Sequence, residues 1–262
     1  ASACFHNVPI EIGTKATVEG EKEVDPLDKV TLTDTVSYTG LVPGKEYRAT
    51  GVLMDKETGE KLLVDGKEIT AETVFVPETK NGSVDVTFIF DATGLHGKEI
   101  VVFEDLYREN VLLATHADIN DEGQTVKIKN PEIGTKATAD GKKEITADKI
   151  TITDVVSYKD LTPGKEYKLT GVLMNKATND KLLIDGKEIT AEATFTLKAP
   201  TGEVEMTFTF DARGLVIETD TVVFETLYRD GLVFAVHADI NDESQTIKVK
   251  PLHGSVSLDR KS

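Results

Sequence analysis

The chain contains almost no cysteine and no tryptophan. Its 262 residues include one cysteine, Cys4, and five histidines. Cys4 lies outside an internal repeat that covers most of the chain, so neither copy of the repeat can contain a disulfide or a thiolate metal site. Sulfur therefore does not stabilise the repeated units.

Basic residues are also scarce. Thirty lysines and arginines face 46 aspartates and glutamates, which gives a formal net charge of −16. Such a chain is repelled by a phosphate backbone and by an anionic membrane surface, so no nucleic-acid partner is expected. No apolar run approaches the roughly 20 residues that cross a bilayer, and membrane insertion is not expected either. The opening "ASACFHNVPI" lacks the features of a signal peptide, which suggests a mature segment or an excised fragment.

Two tandem copies of one unit make up nearly the whole chain. The stretch "EIGTKATVEG" returns as "EIGTKATADG", "SYTGLVPGKEYRATGVLM" returns as "SYKDLTPGKEYKLTGVLM", and "DGKEITAE" and "VVFE" each occur twice. The copies are offset by about 120 residues, with almost no linker between them. We therefore predict one domain over 8–129 and a second over 130–250. Residues 1–7 and 251–262 match nothing in the repeat and are interpreted as linker or expression-derived tails.

Each copy has the period-two alternation of β-strands. In "KVTLTDTVSY", Val30, Leu32, Val36 and Tyr38 fall on one face and hydroxyl residues on the other. Seven to nine such strands are expected in each copy, separated by Pro-Gly, Asp-Gly and Asn-Gly turns. This pattern predicts an all-β protein of two tandem immunoglobulin-like antiparallel β-sandwich domains.

Acidic residues interrupt the apolar faces of two strands. Asp34 lies between Leu32 and Val36, and Glu104 shares a face with Val102 and Leu106. The second copy repeats these acids as Asp154 and Glu225. An ionised carboxylate in a core is unfavourable unless it has a partner, and two buried acids are best tolerated when they share a proton. Each domain is therefore expected to bury an acid pair.

Three further polar residues recur at matching places. On the first strand, alternation puts Thr14, or Thr135 in the second copy, on the core side; Thr17 and Thr138 are alternatives in the same "GTKAT" motif. A His and a Gln recur in "HADINDEGQT" and "HADINDESQT", as His116 with Gln124 and His237 with Gln245. Taken singly, each has an ordinary structural explanation, and "DINDE" is typical of a solvated acidic turn or spacer. Their joint repetition suggests a site.

These motifs resemble the Thr–Gln ester-bond domains, or VaFE repeats, of Gram-positive surface adhesins. The resemblance rests on "IGTKAT", "LTDTVSYTGLVPGKEYRATGVLM", "VVFE" and "HADINDEGQT", in that order and in both copies. In that family a Thr of the first strand and a Gln of the last strand become joined by an ester. The resemblance implies a structural stalk module of an extracellular, cell-wall-anchored adhesin on the bacterial surface.

The resemblance assigns roles to matching residues. It makes Thr14 and Thr135 the nucleophiles and Gln124 and Gln245 their acyl partners. It also makes His116 and His237 bases, with Asp34 and Glu104, then Asp154 and Glu225, as the acid pairs. Each domain would react once with itself, so no turnover enzyme, no metal and no cofactor is expected. The partners implied are neighbouring domains of the same surface protein and an unknown host ligand, with the chain itself a monomer.

Three other hypotheses compete with the ester. A Lys–Asn isopeptide would use Lys15 with Asn120, or Lys136 with Asn241, but alternation turns Lys15 outward. A binding module would use "DINDE" as oxygen ligands for Ca²⁺, or its loops for a sugar or host protein. A hydrolase would use the same Thr, His and acids on an external substrate, for which an open pocket is needed.

Overall fold

The computed structural model describes residues 9–252. Over that range the chain forms β-strands joined by turns and one short 3-10 segment, Ala212–Gly214, and no α-helix. The chain divides into two compact units between Asn130 and Pro131. The prediction of an all-β chain with two tandem antiparallel sandwiches is confirmed. Cys4 and the proposed tails, apart from residues 251–252, lie outside the described residues.

The first domain contains eleven strands, eight of them at least four residues long. In chain order these are β1 Glu11–Thr17, β2 Glu23–Val24, β3 Val30–Thr39, β4 Tyr47–Asp55, β5 Leu63–Val64, β6 Lys67–Glu68, β7 Thr70–Phe75, β8 Gly82–Phe90, β9 Glu99–Arg108, β10 Val111–His116 and β11 Thr125–Ile128. One sheet has the order β1-β3-β8. The other has the order β2-β11-β9-β4-β7, and β10 also pairs with β9. The strands β5 and β6 form a separate small hairpin.

The second domain repeats this arrangement. Its strands are β12 Glu132–Ala139, β13 Glu144–Thr146, β14 Lys149–Lys159, β15 Glu166–Asn175, β16 Asp180–Lys181, β17 Leu183–Ile184, β18 Lys187–Glu188, β19 Thr190–Thr196, β20 Gly202–Asp211, β21 Thr219–Arg229, β22 Leu232–His237 and β23 Thr246–Lys250. The sheets are β12-β14-β20 and β13-β23-β21-β15-β16, with β19 on β15 and β22 on β21. The strands β17 and β18 pair separately.

The core of each domain lies between its two sheets. On β3, buried and exposed residues alternate strictly, as a strand with one covered face requires. Leu32, Leu53, Phe88 and Ile100 are fully buried in the first core. Burial of such side chains stabilises by about 1.5–3 kcal/mol each, so the apolar faces fix which side of each strand turns inward.

The parallel pairing of β2 with β11 brings the beginning and the end of the first domain together. After β1 the chain reverses at Val18–Glu21, where Glu19 and Gly20 take positive φ angles of 50° and 86°. It then runs beside the last strand, with Glu23 opposite Lys127. The first strand and the segment before the last strand are therefore neighbours.

The "HADINDEGQT" stretch is a connection between two strands. His116 ends β10, and Gln124 immediately precedes β11. Between them, Asp118 Oδ1 accepts a hydrogen bond from Asn120 N at 2.9 Å, and Asp121 Oδ1 accepts one from Gly123 N at 2.7 Å. These side chains satisfy backbone donors locally, which favours turns over a continuous strand.

Candidate functional site

Asp34 and Glu104 face each other across the core of the first domain. Asp34 lies in the middle of β3, opposite Ala16 of β1. Glu104 lies on β9 of the other sheet, opposite His116 of β10 and Gly51 of β4. The two acids are 0% and 2% exposed. The acid pair thus links the two sheets at the centre of the sandwich.

A proton is held by this pair at neutral pH. Asp34 and Glu104 bond to each other, which requires a proton on one of the two carboxyl groups. Burial, the hydrogen bond to Asp34 and the charge of Asp34 together raise the pKa of Glu104 to about 11. Burial also raises the pKa of Asp34, against the effect of its bond to Glu104. Glu104 is therefore a neutral acid that can donate.

The Thr14 hydroxyl and the Gln124 carboxamide meet beside this acid pair. Gln124 is completely buried, and Thr14 is half-buried because β1 is an edge strand. The amide nitrogen of Gln124 donates to the Val102 carbonyl oxygen at 2.8 Å and lies 3.2 Å from Glu104 Oε1. The carbonyl oxygen of Gln124 is in direct contact with Thr14 Oγ1. Glu104 also hydrogen-bonds with Thr14.

Backbone bonds hold the two reacting residues in place. Ala16 N donates to Gly123 O at 3.0 Å, which docks the turn before Gln124 on the first strand. Val102 N donates to Gln124 O at 3.2 Å, which continues the ladder between β9 and β11. Gly123 itself lies close to β1, because a side chain there would come within 3.6 Å of Thr14 O.

His116 is paired with Asp121, an acid within the predicted spacer. His116 Nε2 lies 2.7 Å from Asp121 Oδ2. The hydrogen bond to His116 is the main reason why the pKa of Asp121 is lowered, so Asp121 is charged and Nε2 carries the hydrogen. In the tautomer with the hydrogen on Nε2, Nδ1 is the ring nitrogen that can act as a base. Because almost the whole motif is repeated, Asp121 had no sequence signal that distinguished it from its neighbours.

The second domain assembles the equivalent residues. Gln245 Nε2 donates to Asp154 Oδ1 at 3.5 Å, and Glu225 lies beside Asp154 and Thr135 in the core. Burial, followed by the bond to Asp154, raises the pKa of Glu225 to about 11. His237 Nε2 lies 2.8 Å from Asp242 Oδ2. Each domain therefore brings its five predicted residues and one additional Asp into a single site.

The isopeptide hypothesis requires residues that are exposed, whereas the hydrolase hypothesis uses the same Thr, His and acids as the ester. Lys15 and Asn120 are exposed, and Lys15 is adjacent on the strand to Thr14, with its side chain on the opposite face. Within residues 9–252, no three His, Cys, Asp or Glu side chains converge in a way that could hold a metal ion. An open groove of 710 Å³ on the first domain is lined by Glu104, Thr50 and Phe103 among others, whereas Thr14, His116 and Gln124 do not line it. In the part of the chain that is described, no helix is long and apolar enough to span a membrane.

Comparison with a sequence profile of a protein family gives two matches. The profile describes the "T-Q ester bond containing domain" and matches residues 10–128 and 131–249. Together the two matches cover most of the chain. A search of curated protein sequences gives no significant match.

Several solved structures are similar to the chain at low identity. A Mobiluncus mulieris adhesin, described as containing intramolecular disulfide, isopeptide and ester bond cross-links, aligns with a TM-score of 0.45 and 14% identity, over 93% of this chain and 99% of its own. The C-terminal domain of the Streptococcus pyogenes antigen I/II-family protein AspA aligns with a TM-score of 0.46 and 8% identity, over 91% and 99%. The Streptococcus agalactiae AgI/II polypeptide BspA C-terminal domain aligns with a TM-score of 0.45 and 10% identity, over 92% of this chain and 100% of its own.

Proposed function

Because the chain belongs to the family of T-Q ester bond containing domains, we propose that each of its two domains forms an internal ester. The bond joins Thr14 to Gln124 in the first domain and Thr135 to Gln245 in the second. Each reaction is a single intramolecular event, so the protein modifies itself and is not a turnover enzyme. The direct contact between Thr14 Oγ1 and the Gln124 carboxamide is the observation that carries the proposal.

The first step is attack of the Thr14 hydroxyl on the amide carbon of Gln124. A threonine hydroxyl is a weak nucleophile, so a base must take its proton as the bond forms. His116 takes the proton at Nδ1, since Asp121 holds the hydrogen on Nε2 and stabilises the resulting imidazolium. The same arrangement of His and Asp recurs in the second domain.

The acid pair stabilises the charge that develops on the Gln124 oxygen. Attack turns the carbonyl oxygen into an oxyanion, and Glu104, whose Oε1 lies 3.2 Å from the Gln124 amide nitrogen, is a protonated acid beside the carboxamide that can stabilise this charge. Asp34 in turn accepts from Glu104 before the reaction and keeps that proton within the site. The neutral acid is available at pH 7 because the site excludes water.

Collapse of the tetrahedral intermediate completes the reaction. The carbon–nitrogen bond breaks, the leaving nitrogen takes the proton from the imidazolium, and ammonia departs. One hydroxyl and one primary amide thus give one ester and one ammonia, with no oxidant or cofactor. Folding aligns the two reactants, and oriented intramolecular pairs reach effective molarities of about 10⁵–10⁸ M.

Burial protects the product. The Gln124 side chain is fully covered, and the neighbouring Val102 on β9 and Val126 on β11 are fully buried. An ester in such a site is shielded from hydrolysis because water cannot approach its carbonyl carbon. The same shielding explains why the site has no need of an opening for an external substrate.

The position of the bond favours a structural role for the module. An ester between Thr14 on β1 and Gln124 before β11 connects the two ends of the domain, and also its two sheets. Closing a loop of about 110 residues stabilises by on the order of 4–5 kcal/mol in the chain-entropy treatment used for disulfides. We therefore propose a stalk module of an extracellular bacterial adhesin, resistant to force, heat and proteolysis, whose partners are adjacent domains of the same protein.

Intact mass under denaturing conditions tests the ester directly. The mature protein is expected to weigh less than its sequence by two ammonia molecules. Thr14→Ala and Thr135→Ala should each reduce the loss to one ammonia molecule, because one nucleophile is gone. The double variant should lose no ammonia. An unmodified wild-type mass contradicts the proposal.

The same measurement distinguishes the isopeptide alternative. Lys15→Met combined with Lys136→Met should leave both ammonia losses unchanged, because these lysines are exposed. Hydroxylamine should cleave the cross-link, as it does esters but not amides under mild conditions. Loss of the mass change in the lysine double variant, with retention in the threonine double variant, would assign the bond to lysine.

A further inference from the structure

A lysine that the reaction scheme does not use joins the two segments that carry the reactants. Lys22 Nζ donates to Ala16 O at 2.7 Å and to Gly123 O at 2.6 Å. Ala16 is two residues beyond the nucleophile Thr14, and Gly123 directly precedes Gln124. The ammonium therefore bridges the two backbones next to the reacting side chains.

The fold delivers this lysine to the site. The tight turn at Glu19 and Gly20 reverses the chain after β1, and Lys22 O then accepts from Lys127 N of β11 at 2.8 Å. Both the backbone and the side chain of Lys22 are thus fixed between the first and last strands. Gly123 O accepts from Lys22 Nζ and also from Ala16 N.

The second domain builds the same bridge with different neighbours. Lys143 Nζ donates to Ala137 O at 2.7 Å and to Ser244 O at 2.5 Å, and Ala137 N donates to Ser244 O at 3.0 Å. The bridged residue changes from Gly123 to Ser244, yet the bonds are the same because they involve backbone oxygens. Burial is the main cause that lowers the pKa of both lysines. The negative charges of nearby aspartates act in the opposite direction and favour the ammonium.

We propose that Lys22 and Lys143 are positioning residues for ester formation, each acting as a clamp between the strand of the nucleophile and the turn of the acyl donor. The inference rests on the proposed ester reaction. Two hydrogen bonds from a charged donor are stronger than neutral ones and restrict how far β1 can slide past Gly123. Displacement by about 1 Å costs on the order of 10²-fold in rate in a reaction that depends on alignment.

The clamp is tested by timing each reaction separately. Cell-free synthesis of a Thr135→Ala parent, stopped in denaturant at intervals and weighed intact, follows the first domain alone. Lys22→Met is expected to slow its ammonia loss by about 10- to 100-fold, because alignment is loosened while His116 and Glu104 remain. Lys29→Met, at an exposed lysine of the same domain, is the matched control and should react like the parent. Lys143→Met in a Thr14→Ala parent should slow the second domain in the same way.

Rescue separates positioning from a general structural effect. Lys22→Arg keeps a charge and several donors and should restore most of the rate, whereas a lysine needed only for stability predicts unchanged kinetics in any folded variant. Urea unfolding in the unreactive Thr14→Ala background establishes that Lys22→Met is folded; if it is not, Lys22→Gln replaces it. The clamp is overturned if the folded Lys22→Met or Lys22→Gln variant reacts as fast as Lys29→Met. It is also overturned if a folded Lys22→Arg variant reacts as slowly as Lys22→Met. Failure of the parent itself to lose ammonia overturns the ester instead.

Discussion

The two buried carboxyl groups of each domain hold one proton between them, and their protonation is coupled to folding. Glu104 is neutral in the folded domain at pH 7, whereas an exposed glutamate in the unfolded chain is ionised. Glu225 behaves in the same way. The folded state therefore binds more protons than the unfolded state between the ordinary pKa of glutamate and about 11.

This coupling predicts that the uncross-linked protein loses stability as pH rises. A group whose pKa is raised by folding contributes fully to stability below its pKa in the unfolded chain. This contribution is lost as pH rises towards the pKa of the group in the folded state. In the Thr14→Ala, Thr135→Ala protein, urea unfolding followed by tyrosine fluorescence should show a free energy of unfolding that falls between pH 7 and 8.5. The free energy of unfolding should fall by at most about 1.4 kcal/mol per pH unit for each domain.

Removing the titrating group should remove the slope. Glu104→Gln should approximately halve the pH dependence of that protein, and Glu104→Gln with Glu225→Gln should abolish it, because glutamine does not ionise. A free energy of unfolding that is flat or rises over this pH range before the glutamine substitutions would show that the acid pair is not protonated in the folded state.

The acid pair can be recognised in the sequence, whereas Asp121, the partner of the base His116, cannot. Asp34 and Glu104 stand out because they interrupt apolar alternation, which is a one-dimensional signal. Asp121 and Lys22 lie in polar turns, where acidic and basic residues are ordinary. Their functions depend on hydrogen bonds formed after the chain folds back on itself.

At the scale of strands, a glycine makes room for the buried site. Gly51 on β4 is directly opposite Glu104 on β9, and a Cβ at Gly51 would lie 2.5 Å from Phe88 Cζ. Phe88 belongs to the other sheet and fills the space that the missing side chain leaves. Gly171 has the same relation to Phe208 in the second domain.

Adding a methyl group at this place should therefore destabilise the domain. Gly51→Ala in the uncross-linked background is expected to lower the free energy of unfolding by about 1–3 kcal/mol, since Phe88 must leave its preferred position. Gly94→Ala is the matched control, because no atom lies within 4 Å of its added Cβ. Urea denaturation measures both. Equal effects of the two substitutions would contradict the close approach of Phe88 to Gly51.

Over the whole molecule, the two esters would define a short covalent route for tension. Tension that enters before Thr14 would cross to Gln124, continue through Pro131 to Thr135, and leave through Gln245. The body of each domain lies off this route, so pulling on the ends would not unfold it. The route depends on the first strand lying beside the turn that precedes the last strand, as the bonds from Ala16 N to Gly123 O and from Ala137 N to Ser244 O show.

Single-molecule stretching between the two chain ends tests this route. The wild-type protein should show no domain-unfolding step, and Thr14→Ala should release one step with a contour gain on the order of 350–400 Å, from about 110 residues at roughly 3.3–3.6 Å each. Thr135→Ala should release its own step. Lys15→Met should show none, and a step in that control with none in Thr14→Ala would place the cross-link at lysine.

The sequence by itself determined the all-β fold, the two tandem copies, the family and the buried acid pair. Each follows from alternation, repetition or motif order, and these patterns persist because the face of a strand is set by local geometry. The family profile confirms the resemblance seen in four motifs. The tertiary structure shows the contact between Thr14 and Gln124 that the resemblance predicted, and only the tertiary structure decided that Asp121 holds His116 and that Lys22 bridges Ala16 and Gly123. These contacts join residues far apart in the chain, or polar residues within turns. The local sequence does not show which of these residues become neighbours after folding.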